Sequence, residues 1–408
     1  LLLTALLIAT ATACPNDGDD AEAPSAERDD EAPEPSEASG PDLALPSHER
    51  AALEALGYVD HAPADNPEER GVTADEVPNA NGLNLYGSRD RAEALLMDTE
   101  GEVVHRWESQ RDESWMHVEP LGNGEVLTIT RDVALARYDW ESEEIWRKRL
   151  PVHHDVAVDG EGRILALTRG RTSLSHEGEE LPVLCDSIAV LSLEGEVIER
   201  RPLLPLFRSL VEPRRIQSVQ RRLSTGQSPD DLLRPGGVAD LLHTNSIAIL
   251  RTEIDEIAPA GAILLSFRAA SRIAILSHDL DEVLWSWGRG ELDGQHDVSQ
   301  IANGNLMAFD NGLKRNAESR VIEIDPVAGE VVWAYDPPDL FTRLRGGAQE
   351  LSNGHVLITE SDSGHVLEVT REGEMVWEFW NPDVRGSRRA TIYRLNRYPP
   401  TLFPQLDS

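Results

Sequence analysis

The chain has 408 residues, with 73 acidic against 38 basic side chains and a formal net charge of −35. That balance excludes a nucleic-acid partner, which needs basic patches to displace counterions from phosphate. It also requires any anionic substrate to be captured by locally clustered cations.

In chain order, residues 1–14 (LLLTALLIATATAC) are an apolar run closing on small residues. They read as the apolar part of a secretion signal without its charged start. Ala11-Thr12-Ala13-Cys14 fits a bacterial lipobox, in which Cys14 is acylated and becomes the mature N-terminus. An ordinary cleaved signal peptide is the alternative; a membrane span needs ~20 apolar residues and fits less well. Residues 15–45 are rich in Asp, Glu, Pro, Ala and Ser. With almost nothing apolar to bury they are expected to be a disordered acidic tether. A short helix over 46–59, N-capped by Ser47, is expected as an adaptor, followed by a lead-in that runs to residue 81. The expected location is the bacterial cell envelope, with the membrane reached through the N-terminal lipid.

From residue 82 to about 400 one phrase recurs: strand, tight turn, strand, then a third strand ending Gly-Glu-apolar-apolar-Trp. The turn and second strand appear as LGNGEVLTIT (121–130), ANGNLMAF (302–309) and LSNGHVLITE (351–360). Asn-Gly between alternating apolar residues signals a hairpin, because tight turns require positive φ. The outer part appears as MDTEGEVVHRW (97–107), IDPVAGEVVWAY (324–335) and VTREGEMVWEF (369–379). His243 to His296 is 53 residues and His296 to Gly346 is 50, close to the period of a four-stranded propeller blade. The expected fold class is therefore all-β, a six-bladed β-propeller over 82–400. TIYRLNRY (391–398) would complete the first blade from the far end of the chain. Residues 201–237 are an Arg-rich, partly helical insertion, either a lid over the channel mouth or a cover for blade edges. The cysteines are Cys14 and Cys185, so the folded part has no internal disulfide, and Cys185 reads as a buried thiol.

Three histidines head related segments: His154 in VHHDVAVDGEGRILAL, His243 in LLHTNSIAIL and His296 in GQHDVSQIANGNLMAFDNG. Taken singly, each suits an inter-blade hydrogen bond. Taken as equivalent positions of one ring, they converge on a shared axis. Asn245 lies two residues beyond His243, on the same strand face. Arg268 ends the following strand, AILLSFR, and supplies permanently charged donors suited to an oxyanion. Asp155 and Asp297 are expected to point away, Asp310 to serve a turn, and His117 and His153 to face elsewhere. A metal site on the three histidines is a competing reading, opposed by the repulsion of a cation by Arg268. A non-catalytic propeller serving as a binding scaffold is another.

GLNLYGSRDRAEALLMDTEGEVVHRW, HHDVAVD, LLHTNSI, LLSFR, GQHDVSQIANGNLMAFDNG and AQELSNGHVLITE occur in that order. In this the chain resembles the bacterial arylsulfotransferases over most of 82–398. The resemblance implies a six-bladed propeller that moves a sulfuryl group from a phenolic sulfate ester to a phenol, without a nucleotide donor or other cofactor. It implies a covalent sulfohistidine on His296, with sulfate oxygens held by His243 and Asn245 and their charge offset by Arg268. His154 would be a further sulfate ligand or the proton donor to the leaving phenoxide. The implied partners are small-molecule aryl sulfates and phenols.

Overall fold

The recurring turns fold the chain into small antiparallel sheets. In the computed structural model, residues 60–76, 82–315 and 318–407 are described. The expected signal, lipobox at Cys14, acidic tether and 46–59 helix lie outside them. In the lead-in, the described residues form strands at His61–Pro63 and Gly71–Asp75. Among the described residues no helix is long and apolar enough to cross a membrane.

Five sheets have four strands, one has five, and a small one has three. The first sheet takes Leu83–Gly87, Glu93–Met97 and Val103–Glu108, and its leading strand is Leu395–Tyr398 from the other end of the chain. Leu395 faces Tyr86 and Tyr398 faces Leu83 in that pairing. The second to fifth sheets follow in sequence, led by His117–Pro120, Val152–Val158, Thr244–Ile249 and His296–Gln300. Gly347–Glu350 leads the sixth, and Gly71–Asp75 pairs with its outer strand Met375–Trp380. The result is an all-β, propeller-like arrangement.

The recurring Gly-Glu-apolar-apolar-Trp phrase acquires a physical reason here. Trp146 in the second sheet donates its indole N–H to Leu193 O in a turn of the third, at 2.8 Å. Trp287 reaches Gly329 O at 2.9 Å, Trp333 reaches Arg371 O at 2.8 Å, and Trp377 reaches Thr99 O at 2.7 Å. Each bond joins one sheet to the outer turn of the next, and the last joins the sixth to the first. An indole N–H removed from water needs a partner, and for these four it is the turn of the next repeat, whereas the Trp107 Nε1 of the first phrase is buried without one. Apolar clusters fill the spaces between successive sheets, as where Ile273 and Ile275 of the fourth meet Leu306 and Ile322 of the fifth.

The third sheet departs from the pattern. Its hairpin Ile164–His176 and Glu179–Leu191 has 13 residues in each strand. The extension packs against the insertion, where Leu181 and Val183 bury with Phe207, Ile216 and Val219. The insertion carries α1 (Leu203–Leu206), α2 (Pro213–Ser224) and α3 (Pro229–Leu232), the last N-capped by Ser228. Cys185 is buried, as expected.

Candidate active site

Each of the third, fourth and fifth sheets interrupts its leading pair with a bulge. The extra residue bends the strand and turns side chains off the ladder. His154 (φ 61°), His243 (φ 50°), Asp297 (φ 49°) and Arg345 (φ 76°) all occupy left-handed backbone. That conformation costs of order 1–3 kcal/mol in a non-glycine residue and concentrates at functional sites. Asp155 Oδ2 accepts from Ile247 N, Ser246 Oγ from Val298 N, and Asp297 Oδ2 from Ala348 N, each bond running to the next sheet. These three are therefore counterparts. His154, Asn245 and His296 are then counterparts too, and His243 stands two residues ahead. The three histidines do converge, but the expected equivalence holds for only two of them.

His154 Nε2 lies 3.2 Å from His243 Nε2, and the His154 and His296 ring centroids are 6.5 Å apart. Hydrogen-bond partners determine the protons. His243 Nδ1 is 2.5 Å from Asp240 Oδ2, a carboxylate that can only accept, so Nδ1 carries the proton and Nε2 the lone pair. His154 Nε2–H must then donate to His243. That leaves His154 Nδ1 to accept from the Tyr393 hydroxyl at 2.9 Å. The chain Tyr393–His154–His243–Asp240 is thus satisfied with both rings neutral. Burial, assisted by neighbouring positive charge, holds His154 well below the usual histidine range. Burial also lowers His243, against the pull of Asp240. Burial opposes ionisation of Asp240, but His243 and Arg169 hold its carboxyl well below the usual range.

His296 is only 3% exposed. Asn311 Nδ2 donates to Thr342 O at 2.9 Å and Arg345 O at 2.7 Å, which turns its Oδ1 toward His296 Nδ1 at 2.7 Å. An amide oxygen accepts, so His296 carries its proton on Nδ1. Nε2 keeps its lone pair and accepts from the Arg345 backbone N–H at 3.2 Å, a bond that must open before the nitrogen can attack. Burial and then Arg268 hold this imidazole well below its usual pKa. A neutral ring with a fixed tautomer is the nucleophilic form.

These rings line a cavity of about 320 Å³ with Tyr393 and five arginines: Arg89, Arg131, Arg268, Arg343 and Arg345. Among the described residues no acidic side chain lines it. In a chain of net charge −35, that is the local cationic capture the composition demands. Arg268 donates its backbone N–H to His243 O and presents its side chain to the cavity. The guanidiniums also weigh against a metal at the histidines, since a cation would face their repulsion. Asn245 is fully buried and does not line the cavity; its amide donates to Gln295 O at 2.8 Å.

Beside the cavity, Arg394 lies between Asp155 and Asp297, at 3.2 and 3.1 Å. His117 Nε2 is 3.4 Å from Asp155, and His153 Nε2 is 3.4 Å from Asp186. Asp310 accepts from Asp293 N and pairs with Arg315 and Arg320. Asp155, Asp297 and Asp310 thus hold backbone and arginine, as expected of residues that face away. Pro235 and Gly236 of the insertion line the cavity, while its helices pack against the long hairpin.

Sequence reasoning missed Tyr393, Asp240, Asn311 and the arginines other than Arg268. Asn311 carried a faint signal in the FDNG turn. Asp240, three residues before His243, lay just past the expected end of the insertion. Tyr393 and Arg89 come from opposite ends of the chain, and no spacing links them to the histidines.

The sequence profile described as arylsulfotransferase (ASST) matches residues 117–382. No curated protein matches the chain by sequence. Among solved structures, a protein of unknown function from Bacteroides caccae superposes with a TM-score of 0.51 at 13% identity, covering 78% of this chain and 99% of its own. A streptogramin B lyase gives 0.46 at 11% identity, covering 83% and 97%. A catalytically inactive virginiamycin B lyase from Staphylococcus aureus, with quinupristin, gives 0.43 at 10%, covering 78% and 90%.

Proposed function

Because the chain belongs to the arylsulfotransferase family, we propose that it moves a sulfuryl group from a phenolic sulfate ester to a phenol through a sulfohistidine on His296. The observation that carries this reading is the His296 tautomer: proton on Nδ1, lone pair on Nε2, inside a cavity lined by guanidinium groups. We read the six larger sheets as six blades of a closed ring, the arrangement that gathers residues from 89 to 393 around one hollow.

Donor binding brings an anion beside His154 and His243, reversing part of what keeps them neutral, and the pair takes up one proton from solvent. On a doubly protonated His154 ring, Nδ1–H donates to Tyr393, whose hydroxyl can accept as readily as donate. His296 Nε2 attacks sulfur, the N–S bond forms and the ester S–O bond breaks. The departing phenoxide takes the proton from His154 Nε2. Arg268 stabilises the sulfuryl oxygens, because transfer of this loosely bonded group depends on positioning and charge stabilisation. His296 keeps its Nδ1 proton on Asn311, so the N-sulfo ring stays cationic and remains a good leaving group. An acceptor phenol then enters, returns a proton to the pair and takes the sulfuryl group. No cofactor enters this cycle.

Wild type and His296→Ala should be incubated with 4-nitrophenyl sulfate and phenol, with nitrophenolate release followed by absorbance. Unchanged turnover by the variant would remove His296 from the nucleophile role. The same reading keeps the chain at the bacterial cell envelope, anchored through acylated Cys14. Cys14→Ala should abolish partitioning into a detergent phase, and partitioning that survives would refute the anchor.

A further inference from the structure

The cavity holds more positive charge than one sulfuryl group needs, and that charge is divided. Arg268 acts electrostatically on His243 and His296. Arg89 is influenced instead by Arg345, Asp60, Arg131 and Tyr393. Its guanidinium sits 6.0 Å over the ring of Tyr393, whose hydroxyl is 2.9 Å from His154 Nδ1.

Arg89 has a side-chain exposure of 7%, and its nearest carboxylate oxygen, on half-exposed Asp60, is 3.9 Å away. Its Nε is buried with no hydrogen-bond partner. Burial, then the charge of Arg345, lowers its pKa to about 9. Arg345 donates to Thr391 Oγ1 at 3.3 Å and stands 3.9 Å from Asp362. Arg131 stands 3.5 Å from Asp132. A buried guanidinium with an unpartnered Nε, as in Arg89, is costly unless an anion joins it, and planar guanidinium forks match carboxylate geometry. The cavity volume is at the small end for ligand sites and suits a single substituted ring.

We propose that Arg89, Arg131 and Arg345 form a second anion subsite, so that the preferred phenols and their sulfate esters carry a carboxylate on the ring. The proposal rests on the sulfuryl-transfer reading in one respect. In a ping-pong cycle donor and acceptor rings occupy the same space in turn, so one subsite serves both.

With 4-nitrophenyl sulfate as donor, 4-hydroxybenzoate should be compared with its methyl ester as acceptor, a pair that differs in the charge at issue. Wild type should favour the carboxylate at least tenfold in kcat/KM, and Arg89→Gln should bring the ratio near one. Arg131→Gln, at a less buried position, should lower the ratio in the same direction. A wild-type ratio at or below one, or a ratio untouched by both variants, overturns the proposal. Calorimetric binding of the same two compounds to the same proteins reads the subsite without turnover. Arg89-dependent binding of 4-hydroxybenzoate in a protein that releases no nitrophenolate would uphold the subsite and sink the transferase reading. Equal binding of acid and ester would sink the subsite alone.

Discussion

Asn311 touches no reacting atom, yet the geometry makes it decide which nitrogen of His296 can attack. In Asn311→Ala, Nδ1 loses its acceptor at 2.7 Å and the ring is free to place its proton on Nε2, the attacking atom. The bond also strengthens during the reaction, because the ring gains positive charge as the N–S bond forms. A hydrogen bond from a neutral donor contributes about 1 kcal/mol, and one from a charged donor about 1.5–3 kcal/mol. The difference, about 0.5–2 kcal/mol, corresponds to a fall in kcat of roughly 2- to 30-fold. KM for 4-nitrophenyl sulfate should move little, since the ground-state contacts to the sulfate remain. The same substitution strips donors from Thr342 O and Arg345 O, costing about 1–3 kcal/mol of stability, so melting must be measured alongside. Asn311→Asp separates position from tautomer: a carboxylate beside Nδ1 raises the His296 pKa, leaving the nucleophile free only at higher pH. Its kcat/KM profile should shift upward in pH with activity partly recovered there. A folded Asn311→Ala variant with kcat within twofold of wild type refutes the reasoning.

Asp240→Asn removes the carboxylate that favours a proton on the His154–His243 pair. Turnover of phenyl sulfate, whose leaving group needs that proton, should fall at least tenfold more than turnover of 4-nitrophenyl sulfate; equal losses would contradict the proton-donor role. His154, His243 and His296 are held neutral by burial, so their folded pKa values lie below the unfolded value of about 6.5. Between pH 6.5 and 5 the unfolded chain takes up protons that the folded chain refuses, and stability should fall as pH falls, by up to about 1.4 kcal/mol per unit for each. His365 opposes this with a single proton, since Glu360 and Glu378 raise it despite burial, and its contribution is lost as pH rises. A urea midpoint that is flat or rising from pH 6.5 down to 5 would be the contrary result. Gly346 sits at φ +102°, where an added Cβ would come within 2.5 Å of the Phe309 ring. Gly346→Ala should cost about 2–4 kcal/mol, read as a lower urea midpoint.

Much of the architecture was legible because its causes are local. Asn-Gly turns, alternating apolar residues and the repeated Trp phrase each act over a few residues. Their repetition implied a propeller-like stack and the pairing of 395–398 with 83–87. His154, His243, His296 and Arg268 were likewise visible as residues of one chemical kind at recurring places. The left-handed bulges were not visible, since four non-glycine residues adopt positive φ only under tertiary constraint. One consequence is that Asn245, which the pattern put on the same face as His243 and the family resemblance put on the sulfate, is buried against Gln295. Another is that Asp240, Asn311 and Tyr393 set the protons of the three rings while standing outside the repeat. Proton placement depends on which acceptor lies within 3 Å of a ring nitrogen, and folding makes those neighbours from segments up to 239 residues apart. By itself the sequence determined the repeat and the kinds of side chain it carries. Only the tertiary structure decided which of them meet, because hydrogen bonds and buried charge depend on distance in space and have no periodicity along the chain.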